Sequence, residues 1–174
     1  MAVTWIVETG DGIAGANTYY SLASVAAYCT ARGLTAWASA STTNKDKAMY
    51  AAMDYIESQS YKGYKASYTY PLKWPRYDCW DDDGYFSNTT LTPTGVQKVP
   101  DNVKYAVAQS CYEEIAVPGC LLPTLSAEDY VTRKKIDVLE FEYAKAVPTK
   151  LYQTIIRFLN PYLKSKTCVD TIRT

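Results

Sequence analysis

The densest set of side chains with chemical potential is the run Asp78-Cys79-Trp80-Asp81-Asp82-Asp83-Gly84. Carboxylates this close can hold Ca²⁺ or Mg²⁺ through oxygen ligands. The EF-hand spacing is not met, however, and no glutamate stands where the last ligand belongs. The run therefore reads as an acidic loop tip. Glu113-Glu114 is a second carboxylate pair, but adjacent residues on a helix diverge, so it reads as a solvated helix edge. Gly10, Gly12 and Gly15 have the spacing of a dinucleotide-phosphate loop. Ala16 to Tyr20 does not read as the helix such a loop must open, and no acidic residue follows about twenty positions on, so a turn is expected. The chain has no histidine, which removes the commonest general base and metal ligand and every Ser-His-Asp or Cys-His site. Cys29, Cys79, Cys111, Cys120 and Cys168 are widely spaced without a C-x-x-C pair, so neither zinc nor a redox dithiol is expected. Free thiols are expected. The residues predict no enzyme, no metal and no cofactor.

A binding surface is the remaining chemistry. Tyr61 to Tyr77 interleaves aromatic residues with Lys62, Lys65, Lys73 and Arg76. That mixture can stack bases and touch phosphates of single-stranded nucleic acid. It can equally pack its rings on the protein's own helices or on a neighbouring subunit. The second reading gains from Asp81-Asp82-Asp83 close by and from a net charge of zero, 18 basic against 18 acidic residues. A neutral chain has no long-range pull toward phosphate or anionic lipid. The 17 tyrosines among 174 residues point the same way, because a tyrosine has an apolar ring and a polar tip and suits surfaces where subunits meet.

Local patterns of apolar, capping and breaker residues set the elements around these side chains. One domain is expected, with a core suited to a sequence that is 48% hydrophobic. Residues 3–8 read as a short strand. Ser21 caps a first helix that ends before Gly33. Residues 34–42 are small and polar around Trp37. Thr43-x-x-Asp46 looks like a capping box for a second helix over 45–59, with Ala48, Ala52, Tyr55, Ile56 and Gln59 on one face and Met49 and Met53 beside it. Residues 60–97 read as one long irregular loop. Pro100-Asp101 opens a third helix over 102–116, with Val103, Val107, Cys111 and Ile115 at four-residue spacing, and Pro118-Gly119 stops it. Residues 135–143 alternate as a strand. Pro148-Thr149 starts a fourth helix through Leu151, Ile155, Phe158 and Leu159, and Asn160-Pro161 breaks it. The predicted fold is mainly α: a small helical bundle with a minor β-strand or hairpin element, a long loop and an extended C-terminal arm. The helical domain is residues 1–160, with the long loop at 60–97, and the arm is 161–174. No stretch approaches the roughly 20 apolar residues of a membrane span.

Three ordered stretches carry a resemblance. The first runs from Glu8-Thr9-Gly10 through Ala14-Gly15-Ala16-Asn17-Thr18-Tyr19 to Arg32-Gly33. The second is Leu72-x-Trp74-Pro75-Arg76, followed by Val99-Pro100-x-x-Val103-x-x-Ala106. The third is Lys134-Lys135-Ile136-Asp137-Val138-x-x-Phe141-x-Tyr143, then Leu159-Asn160-Pro161-Tyr162-Leu163. This order resembles a bacteriophage family often labelled DnaT-like single-stranded-DNA-binding protein, whose layout is similar to the head–tail adaptors of tailed phages.

The resemblance implies a virion protein of the neck, assembled in the host cytoplasm. It would form a ring, typically a dodecamer, between the portal protein and the tail or next neck protein. Genomic DNA would pass through its channel without specific binding, and no membrane would be involved. Carried onto this chain, the portal-gripping residues would be Pro161, Lys164, Lys166, Val169, Ile172 and Arg173. The tail-side or intersubunit loop would present Trp74, Arg76, Trp80, Asp81, Asp82, Asp83 and Tyr85. The alternative is single-stranded-DNA binding through residues 61–77.

Overall fold

The computed structural model describes residues 3–80, 99–121, 133–136, 139–142 and 153–164. The first helix, α1 (Leu22–Ala31), begins where Ser21 accepts a hydrogen bond from the Ser24 amide at 3.1 Å. It ends in a Schellman turn. The Gly33 amide donates to the Thr30 carbonyl, the Leu34 amide donates to the Cys29 carbonyl, and Gly33 takes the left-handed φ of 67° that glycine adopts without strain. A four-residue helix, α2 (Ala36–Ser39), follows and buries Trp37. It was not foreseen, since four residues are too few to show a period.

Helix α3 (Thr42–Ser58) starts earlier than the expected capping box. Ser41 caps it, accepting from the Asn44 amide at 3.3 Å. Asp46 does something else: its carboxylate accepts the Trp5 indole N–H at 2.9 Å and so holds the N-terminal segment on the helix. Ala48, Met49, Ala52, Met53 and Ile56 are buried. Helix α4 (Asp101–Ala116) packs against α1, α2, α3 and α5, most extensively against α3. Its residues Val103, Ala106, Val107, Ala108, Gln109, Ser110 and Cys111 are buried nearly all round, as a central helix requires. Gln109 lies inside because its amide is satisfied: its Oε1 accepts from the Tyr28 hydroxyl at 3.2 Å and its Nε2 donates to Glu113 at 2.8 Å.

Helix α5 (Gln153–Leu159) runs into a 3-10 turn (Asn160–Tyr162) at Pro161, as the proline predicts. Residues 148–152 of the expected helix lie outside the described residues. The expected strand over residues 3–8 reduces to a parallel bridge between Val7 and Thr18. Asn17 takes the place of a ladder there: its side chain accepts from the Ile6 amide at 2.8 Å and donates to the Thr4 carbonyl at 3.0 Å.

Two short hairpins occur among the described residues. Strands β1 (Tyr64–Lys65) and β2 (Arg76–Tyr77) pair antiparallel inside the expected loop, with Tyr64 opposite Tyr77. Strands β3 (Arg133–Ile136) and β4 (Leu139–Glu142) pair where one alternating strand was expected. Asp137-Val138, between the two arms, is not one of the Asn-Gly or Asp-Gly pairs that mark a hairpin turn in sequence. The fold is mainly α with minor β-hairpins, as predicted. Among the described residues no helix is long and apolar enough to cross a membrane.

Candidate functional site

Residues 61–80 are laid onto the helical core by their own basic side chains. Arg76 is almost wholly buried, and its guanidinium donates to the carbonyls of Lys62 (2.9 Å), Gly63 (2.9 Å) and Lys73 (3.3 Å). The planar fork of arginine is suited to bridging several acceptors at once. Lys62 Nζ donates to the Pro161 carbonyl at 2.7 Å, Lys73 Nζ to the Gln59 carbonyl at 2.7 Å, and Lys65 Nζ to the Tyr70 carbonyl. Gly63 completes the hairpin, because a Cβ there would lie 1.9 Å from the Tyr77 carbonyl oxygen.

Trp74 is the largest fully buried side chain and sits before a cis Trp74–Pro75 bond. Tyr61 and Tyr162 meet it edge-on, with ring centroids 5.6 and 5.7 Å away. Behind it lies a polar relay. The Trp74 amide donates to the Tyr19 hydroxyl at 3.0 Å, and that hydroxyl donates to Glu57 Oε1. Glu57 Oε2 accepts from the Lys73 amide at 2.9 Å. Burial pushes the Glu57 carboxyl above its ordinary range, against the lowering effect of its hydrogen bonds and of Lys73 and Lys65. Burial also raises the Tyr19 and Tyr61 hydroxyls, each further raised by the charge of Glu57.

The outer face of this segment is aromatic. Tyr64 and Tyr77 sit side by side across the hairpin, ring centroids 5.5 Å apart. Tyr64 is 59% exposed, Tyr68 95% and Trp80 40%. The segment thus turns its cations to backbone carbonyls, while Tyr64 and Tyr68 turn outward.

This arrangement corrects two expected surface residues. Trp74 and Arg76 lie inside the chain's own core, one as its aromatic centre and the other as the clamp of its hairpin. Trp80 is partly exposed. Pro161 and Lys164 fall in a stretch paired with residues 60–62: Tyr61 bridges Leu163, the Lys62 amide donates to the Tyr162 carbonyl, and the Lys164 amide donates to the Ser60 carbonyl. Lys166, Val169, Ile172, Arg173, Asp81, Asp82, Asp83 and Tyr85 lie outside the described residues.

The sequence reading missed Tyr19 and Glu57, which meet only through the fold, 38 positions apart. No cluster of acidic, cysteine or histidine residues suited to a metal occurs among the described residues. Cys29, Cys79 and Cys111 are buried free thiols, and Cys120 is also buried. A family model described as "Putative DnaT-like ssDNA binding protein" matches residues 3–174. No curated protein and no solved structure matches the chain.

Proposed function

The chain belongs to the DnaT-like ssDNA-binding protein family, and from that premise we propose that it works as a structural assembly protein, not an enzyme: a head–tail adaptor of a tailed phage. In this role it forms a ring, dodecameric by resemblance, between the portal protein and the tail or next neck protein. One observation carries the preference. The four cations of the aromatic–basic segment are held by backbone carbonyls, so the outward surface is tyrosine without matching positive charge. Tyrosine-rich surfaces suit protein contacts, whereas phosphate capture needs free lysine and arginine. The zero net charge supports the same choice.

The test is to mix the purified protein with the portal ring from the same genome and image the product by cryo-electron microscopy. A ring docked on the portal, with residues after Pro161 against it, is the expected outcome. No complex at micromolar concentration would overturn the adaptor reading.

A second reading has the family's own description in its favour. Tyr64, Tyr68 and Tyr77 would then stack unpaired bases, since every base has a π-face. Titration with a labelled oligonucleotide at two salt concentrations decides between the readings, with salt-sensitive binding favouring nucleic acid.

A further inference from the structure

We propose that the loop Thr9–Ile13 is a built carboxylate-binding site whose resident ligand is the chain's own Glu8. The Glu8 side chain is fully buried. Its Oε1 accepts from the Gly10 amide at 2.7 Å and the Gly12 amide at 3.0 Å, and its Oε2 accepts from the Ile13 amide at 2.8 Å. No salt bridge pairs it among the described residues, so converging amide dipoles compensate its charge. Such concavities of successive N–H groups bind anions.

The glycines make the concavity. Gly10 and Gly12 have φ of 114° and 71°, and a Cβ on Gly12 would lie 2.1 Å from the Tyr70 ring. Tyr70 therefore walls the site from the 61–80 segment. The frame of the loop does not depend on the carboxylate. The Glu8 amide donates to the Thr18 carbonyl at 2.8 Å, the Asn17 amide to the Ile6 carbonyl at 2.9 Å, and the Ala16 amide to the Ile13 carbonyl at 3.1 Å. Two oxygens of one buried carboxylate thus share three donors. The G-x-G-x-x-G spacing thus encodes an anion site that the chain fills itself, and nucleotide phosphates find it occupied.

Glu8→Ala tests the idea, because the atoms it removes correspond to acetate. The variant is expected to melt roughly 5–10 °C below the wild type, the effect of three orphaned donors in a chain of this size. Sodium acetate at several times its dissociation constant should then raise the variant's Tm by about 2–4 °C over sodium chloride of equal ionic strength. The wild type and Glu8→Gln, whose sites are filled, should show no acetate-specific rise. Equal responses in all three proteins would overturn the proposal. If Glu8→Ala does not fold in chloride, dilution from urea into each salt decides: recovery in acetate alone supports the site, while recovery in both or in neither sinks it.

Discussion

Arg76 and Glu57 show opposite ways of placing a charge inside this protein. Arg76 keeps its charge by surrounding it with carbonyl acceptors. Lysine has a single ammonium and cannot span the same acceptors, so Arg76→Lys should cost about 2–4 kcal/mol, leaving buried carbonyls unpaired. Urea unfolding measures it, and a loss below about 0.5 kcal/mol, the size of an ordinary surface change, would mean the hairpin does not need the clamp. Glu57 sits with its carboxyl raised by burial above the ordinary value of 4.5. A raised carboxyl binds its proton more readily in the folded state than in the unfolded one. Stability therefore rises as pH falls from neutral through that raised pKa, and is lost as pH climbs back through it. The wild type should gain on Glu57→Gln between pH 7 and pH 5 in denaturant midpoint. The reverse slope would show that the Tyr19 hydroxyl and Lys73 amide favour the charged form more than burial opposes it.

Helices were the legible elements, and their contacts explain why. Ala48, Ala52 and Ile56 recur at four-residue spacing, and all three are buried on α3. Val103, Val107 and Cys111 do the same on α4. Local rules of period and capping carried both helices, and Gly33 ended α1 where its left-handed conformation was expected. The 61–80 segment was illegible because its order depends on partners far along the chain. Lys62 reaches Pro161, 99 positions away, and the Trp74 amide reaches Tyr19, 55 positions away. Its lysines, arginine and rings left two readings open in sequence, with packing favoured, and the fold supplies the carbonyls that hold the cations. The small residues of α3 also set a limit on packing. Ala52 is fully buried on the helix that packs most extensively on α4, so Ala52→Leu should overpack this contact by about 1–3 kcal/mol. A neutral result in thermal unfolding would mean there is unfilled space beside Ala52.

Across the molecule as a whole, the fold and the proposed assembly surface can be separated experimentally. The core closes on Trp74, Tyr61 and Tyr162, while Tyr64 and Tyr68 project from the same segment into solvent. Exposed side chains removed from such a surface change stability by only about 0.5 kcal/mol, but large aromatic anchors at the centre of an interface can each be worth 2 kcal/mol or more. The double variant Tyr64→Ala, Tyr68→Ala should therefore unfold at the wild-type midpoint and yet fail to assemble on the portal ring, as read by sedimentation of the mixture. With a net charge of zero and cations tied inward, wild-type assembly should also change little between low and moderate salt, since few counterions are released. If the double variant assembles normally, the tyrosine face is not the contact. If it instead loses a salt-sensitive affinity for oligonucleotide, base stacking is the better account of why these rings point outward.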